Sequence, residues 1–282
     1  HKSALTRDGT QIAVLANVGD AEDTRIAIEN GMDGVGLYRL EQIYLGRQHP
    51  PSTAELLDAM QTTLQPAKGL PVYVRLLDVG ADKPLPFIDM PREQNPSLGQ
   101  RGIRFLMQYP ELLQTQMDAL LQLSSDFDLH ILVPMVTLPS DMAAVEEALK
   151  DATSRARPSK NPKLGAMIET PVAALSAADI SKHASFLSFG TNDLTQYSFA
   201  ADRENPSVDA YFDDAHDAIF RLIGMVHEDV PDMPLSVCGE LAGRSDATSR
   251  LLECGITSLS VVPLSIPAVK EVVRDCRRTP NG

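Results

Sequence analysis

Cysteine is scarce in this chain, and the three that occur (Cys238, Cys254 and Cys276) are odd in number and lack the spacing of a metal site. That argues against a disulfide framework and suits a reducing compartment. Basic residues are short as well: 25 Lys and Arg stand against 38 Asp and Glu, for a net charge of −13. No nucleic acid or anionic membrane partner is therefore expected to bind through bulk charge. No apolar run approaches the roughly 20 residues that cross a bilayer, and the N-terminal segment has no signal-peptide core. No membrane insertion is expected, and the expected location is cytoplasmic. The six histidines have no ligand-like spacing, and no Gly-rich phosphate loop, repeat or low-complexity tract is evident. The chain starts at His1, so it is expected to be a piece of a longer protein.

What is present is an ordinary globular composition, 43% hydrophobic and 22% charged over 282 residues, enough for one large α/β barrel or two small domains. Short continuous apolar runs at 11–18, 34–38, 72–77, 130–136, 164–168, 185–189, 235–238 and 258–262 read as strands buried on both faces. Helix patterns lie between them, at 21–30, 53–64, 110–124, 140–152, from 170 on, 213–228, 245–253 and 266–276. Their ends are marked. Gly31 stops the first, Ser52 with Glu55 forms a capping box for the second, and Thr170–Pro171 supplies an N-cap and an N1 proline. Eight strands alternating with eight helices predict a single-domain (βα)8 TIM barrel over residues 1–282, with a doubly wound sheet as the runner-up. The segment 82–100, with four prolines, reads as a long βα loop, and loops of that length tend to be functional.

Polar residues fall repeatedly at the carboxyl ends of these strands: Arg39, Arg75 with Asp78, Glu169, Asn192 with Asp193, and Cys238 with Glu240. In a (βα)8 barrel those ends converge on the face where active sites are built. Taken singly, Arg39 or Arg75 fits a structural ion pair, Glu169 or Asp193 fits a helix cap, and Cys238 fits a small buried filler. Together they point to a site, because independent fillers need not cluster at the same end of successive strands. Converging arginines cannot shed their protons and need anionic partners. Charge balance with two acids favours a small polyanion accompanied by Mg2+.

Six motifs carry a specific resemblance, in this order: 34–41 (GVGLYRLE), 74–83 (VRLLDVGADK), 95–104 (NPSLGQRGIR), 168–171 (IETP), 190–196 (GTNDLTQ) and 238–243 (CGELAG). Over residues 11–275 the chain resembles the phosphoenolpyruvate-binding barrel of the PEP-utilising enzymes, above all that of the enzyme I type of phosphoenolpyruvate–protein phosphotransferase. The resemblance implies that Arg39, Arg75, Arg101 and Arg203 clamp the phosphate and carboxylate of phosphoenolpyruvate, with Lys83 and Asn192 assisting. It implies Mg2+ on Glu169 and Asp193. It makes Cys238 the acid that protonates the enolate, with an ordinary thiol pKa near ~8.5 and with Glu240 orienting it. Implied partners are phosphoenolpyruvate and pyruvate, a phosphohistidine domain, a phosphocarrier protein downstream and a second copy of the chain in a homodimer.

Departures bear on subfamily. Arg39–Leu40–Glu41 matches the Arg–Leu–Glu of PEP synthases rather than the usual Arg–Thr–Glu, and Ala81 replaces a glycine. The His motif of the family's swivelling domain does not occur, nor does an ATP-grasp-like nucleotide domain, so the chain is expected to be the C-terminal PEP-binding part of a multidomain protein. Three alternatives stay open. A PEP synthase or pyruvate phosphate dikinase shares the barrel, and the 95–104 loop tilts against it. A Mg-dependent aldolase or lyase leaves four arginines unexplained. A regulatory PEP-sensing domain is disfavoured by the intact charged set.

Overall fold

Ser258–Val261 runs parallel to Ala13–Val18, with Ala13 opposite Ser258 and Ala16 opposite Val261, and this pairing closes a barrel. The computed structural model describes residues 2–80 and 85–277. Its eight strands are β1 (Ala13–Val18), β2 (Val35–Arg39), β3 (Pro71–Arg75), β4 (Asp128–Val133), β5 (Lys163–Ile168), β6 (Phe186–Phe189), β7 (Leu235–Val237) and β8 (Ser258–Val261), parallel and in sequence order around the barrel. The fold is the single-domain (βα)8 barrel that the alternation predicts.

The core divides in two. A large cluster that includes Val14, Val35, Val72, Ile131, Ala166 and Leu187 lies between strands and helices. A small one (Leu37, Leu132, Met167, Phe186 and Cys238, with Tyr73 against it) fills the barrel interior. Side chains two apart on a strand share a face. Leu37, Tyr73 and Met167 therefore place Arg39, Arg75 and Glu169 on the inner face, one step closer to the carboxyl-end mouth. Gly165 makes room for this plug, because a Cβ there would stand 2.3 Å from the Phe186 ring.

The helices follow their local signals. Ser52 and Glu55 form the capping box of Thr53–Leu64, which buries Leu56, Met60, Thr63 and Leu64. Thr170 caps Pro171–Leu175, and Ser245–Glu253 has the expected bounds. Other expectations need correction. The pattern from 170 breaks at Ser176 into Pro171–Leu175 and Ala177–Ile180; that of 213–228 begins at Asp217; and that of 140–152 runs to Ala156. Short helices at Glu41–Tyr44 and Ile103–Gln108 were not anticipated, nor was Thr191–Phe199, which starts immediately after β6. The buried side of Thr191–Phe199 carries Thr191, Asp193, Thr195 and Gln196 beside Leu194, so it shows no apolar stripe. Among the described residues no helix is long and apolar enough to cross a membrane.

Candidate active site

The strand ends open on a cavity of about 960 Å3. Eight of the nine residues expected at the site line it: Arg39, Arg75, Arg101, Glu169, Asn192, Asp193, Arg203 and Cys238. The ninth, Lys83, lies outside the described residues.

The buried arginines are held in a chain of carboxylates. Arg75 donates through Nη2 to Glu41 Oε1 at 3.0 Å, and its Nη1 lies 3.1 Å from Asp78 Oδ2. Glu41 Oε1 also accepts the backbone N–H of Asp78 at 2.8 Å. Arg101 makes a double fork. Its Nη1 and Nη2 donate to Asp193 Oδ1 and Oδ2 at 2.8 and 2.9 Å, while Nε and Nη2 donate to Asp78 Oδ1 and Oδ2 at 3.2 and 3.1 Å. The Tyr197 hydroxyl lies 3.2 Å from Nη1. Burial opposes the charge of both arginines, but the surrounding carboxylates outweigh it and leave both more strongly basic than usual.

The remaining cations are looser. Arg203, an exposed residue, has Nη1 3.8 Å from Asp193 Oδ2. Arg39 is exposed at the end of β2, and no hydrogen bond or ion pair of its side chain is seen among the described residues. Its guanidinium lines the mouth. Asn192 pairs with Glu240: its Oδ1 accepts the Glu240 backbone N–H at 2.9 Å, and its Nδ2 lies 3.4 Å from Glu240 Oε1.

Glu169, the residue after β5, is buried and accepts the backbone N–H of Met135 at 2.5 Å. Met135 has φ of 56°, in the left-handed region, and that unusual conformation is where its N–H serves this carboxylate. Burial pushes the Glu169 carboxyl up to about 8, the nearby Asp193 and Asp78 add to the push, and Arg75 and Arg101 offset only part of it. Gly190 leaves space here, since a Cβ on it would stand 2.6 Å from Glu169 Oε2. Among the described residues no three His, Cys, Asp or Glu side chains group as a metal cage. Glu169 and Asp193 remain a carboxylate pair, the number that suffices for an ion whose other ligands are water and phosphate oxygens.

The Cys238 thiol is buried, and its Sγ lies 3.5 Å from the Phe189 carbonyl oxygen. One expectation is corrected here. The thiol is not ordinary: burial pushes it up to about 11. Among the described residues Glu240 meets Asn192, through its backbone N–H at 2.9 Å and its Oε1 at 3.4 Å. The sequence reading assigned no role to Glu41, which ties Arg75 to Asp78, or to Tyr197, which touches Arg101. Glu41 sits beside Arg39 in the 34–41 motif, the one signal that could have drawn attention to it.

A (βα)8 barrel with several guanidinium groups, two acids and a protonated thiol at its mouth has the chemistry of a small-polyanion site. The chain belongs to the PEP-utilising enzyme family: residues 1–278 match the family described as PEP-utilising enzyme, PEP-binding domain. It is 36% identical over 278 residues to a phosphoenolpyruvate-protein phosphotransferase of Buchnera aphidicola, covering 96% of this chain and 49% of that protein. It is 37% identical over 273 residues to that of Bacillus subtilis, covering 94% and 48%. A multiphosphoryl transfer protein of Rhodobacter capsulatus is 36% identical over 282 residues, 99% of this chain and 34% of that protein. The chain thus spans about half the length, or less, of these relatives.

Proposed function

We propose that this barrel binds phosphoenolpyruvate together with Mg2+, passes its phosphoryl group to a histidine on a separate domain, and releases pyruvate. The observation that carries the reading is the joining of Arg39, Arg75, Arg101 and Arg203 with Glu169, Asp193 and Cys238 around one cavity. The names of the relatives support it.

The arginine forks bind the phosphate and carboxylate, whose paired oxygens match paired N–H donors. Arg39, whose side chain has no hydrogen bond or ion pair among the described residues, makes the first contact, and Asn192 and Lys83 assist. Glu169 and Asp193 would hold Mg2+, and they fit that role: both are buried acids lining the cavity, and Gly190 leaves Glu169 Oε2 clear, since a Cβ there would stand 2.6 Å from it. When bound, Mg2+ would supply positive charge that offsets the charge developing in the transfer. As the P–O bond breaks, a P–N bond forms on the acceptor histidine, leaving the enolate of pyruvate. Cys238 Sγ then gives its proton to the methylene carbon, producing pyruvate, and the thiolate regains a proton from solvent. With its pKa near 11, the thiol is loaded with its proton at neutral pH.

In this reading the chain is the C-terminal part of a cytoplasmic, homodimeric protein whose phosphoryl group moves on to a phosphocarrier protein serving sugar transport. The greater length of the relatives leaves room for the domain that carries the histidine. The test is radiolabelled phosphoenolpyruvate with the barrel, alone and with the phosphohistidine domain of a relative added. The expected result is no stable label on the barrel, and slow labelling of the added domain with release of pyruvate. Slowness follows from losing the tether that raises effective concentration. Stable label on the barrel contradicts the reading, as does an unlabelled acceptor domain when phosphoenolpyruvate is bound.

A further inference from the structure

Both oxygens of Asp193, one of the two acids given to the metal above, are already taken by a cation of the chain itself. Arg101 meets them with Nη1 and Nη2 at 2.8 and 2.9 Å, and its side chain and that of Asp193 are each only 8% exposed. The same guanidinium is gripped by Asp78 through Nε and Nη2. Asp78 is itself fixed: Arg75 Nη1 lies 3.1 Å from its Oδ2, and Glu41 accepts its backbone N–H.

We propose that Arg101 is a built-in counter-cation that closes the metal site of the ligand-free barrel, and that Asp78 is the positioning residue that keeps Arg101 in place once Asp193 is released. The proposal rests on the reading of Asp193 as a metal ligand. The two carboxylates around Arg101 differ in their freedom. Asp78 is tied from two sides, whereas among the described residues the side-chain contacts of Asp193 are with Arg101 and, more distantly, Arg203. Arg101 can therefore give up Asp193 and retain both bonds to Asp78.

A metal ion arriving alone must break two paired, charge-assisted bonds, and it offers the freed Nη1 and Nη2 no new acceptor. A phosphate-bearing ligand does offer one. The cation alone is thus bound weakly, and anion and cation each raise the affinity of the other to the same degree. Shared coordination of the metal by the anion also produces such coupling. The decisive quantity is therefore cation affinity in the absence of any anion.

Mn2+ serves as the probe, with free Mn2+ followed by electron paramagnetic resonance in wild type, R101K and R203K without phosphoenolpyruvate. R101K keeps the positive charge but cannot pair with both oxygens of Asp193 while holding Asp78. Loss of one charge-assisted bond is worth on the order of tenfold in an equilibrium constant, so R101K is expected to bind Mn2+ about that much more tightly than wild type. R203K, altered at a contact of 3.8 Å, is expected to match wild type. If R101K does not fold, R101Q, which retains an amide donor for Asp78, is expected to show the same tightening. Equal Mn2+ affinity in the folded variant and wild type overturns the proposal. Absence of Mn2+ binding to wild type even with phosphoenolpyruvate overturns instead the assignment of the metal site on which it rests.

Discussion

The Cys238 thiol has a main-chain acceptor, the carbonyl oxygen of Phe189 at 3.5 Å, across the neighbouring strands β6 and β7. This fixes the sulfur inside the barrel. Burial pushes the thiol up to about 11, and the nearby Ser188, Arg75 and Arg39 offset only part of that push. A group in that state donates protons and is a poor nucleophile at pH 7.

Cys238→Ala is accordingly expected to leave phosphoryl transfer largely intact while slowing formation of pyruvate in its keto form. With a phosphohistidine domain present, the wild type exchanges the methyl protons of pyruvate with deuterated water, and the variant does so much more slowly. Nuclear magnetic resonance of pyruvate in deuterated water reads this directly. Alkylation of Cys238 is expected to be slow at pH 7 and to accelerate towards pH 11. Modification of Cys254, which bonds the Phe220 carbonyl away from the cavity, is expected to leave exchange unchanged.

Asp193→Ala leaves the Arg101 guanidinium with Asp78 as its remaining carboxylate partner. Breaking a buried pair by removing one partner costs about 3–5 kcal/mol, and the surviving bonds to Asp78 put this variant near or below ~3 kcal/mol. Urea unfolding measures it. Loss of metal-dependent ligand binding is expected as well, whereas deletion of the exposed Glu253 is expected to affect neither.

His130 gives the fold an acid-sensitive point. Its ring stacks on Tyr73 at a centroid distance of 4.2 Å, and both ring nitrogens are buried without a hydrogen-bond partner. Burial lowers its pKa below 6.5, with Asp128 at 3.7 Å offsetting part of the effect and Lys163 adding to it. A depressed folded-state pKa means that the unfolded chain takes up the proton first. The stability contribution is present above pH 6.5 and is lost as pH falls through the folded-state value. His130→Phe keeps the stack and removes the titration. Urea unfolding at pH 7.5 and 5.5 is expected to show a smaller loss on acidification in the variant than in the wild type.

Two glycines separate stability from function. Gly165→Ala sets a Cβ 2.3 Å from the Phe186 ring at the barrel plug, and overpacking of this kind costs about 1–3 kcal/mol. Gly190→Ala sets a Cβ 2.6 Å from Glu169 Oε2. Thermal unfolding is expected to register the first, and the second is expected to weaken metal-dependent ligand binding.

The barrel was legible because all eight strands are buried on both faces, which turns each into a short apolar run such as Leu-Gly-Ala-Met-Ile at 164–168. The helices with apolar stripes and caps, Thr53–Leu64 above all, were legible for equally local reasons. Thr191–Phe199 was not, since it packs polar side chains into the site and has no periodic hydrophobic signal. At the site, position along a strand was enough to find Arg39, Arg75, Glu169 and Cys238. What Arg101 and Asp193 do was hidden, because their mutual fork joins residues 92 apart in sequence. The pairing of Glu240 with Asn192 likewise spans 48 positions.

Calorimetry of phosphoenolpyruvate binding with and without Mg2+ tests the account most directly. Four arginines and two acids at one cavity predict binding in the presence of the metal and its loss on chelation, with no appreciable binding of ATP under either condition. Equal affinity after chelation, or no binding of phosphoenolpyruvate at all, contradicts the account.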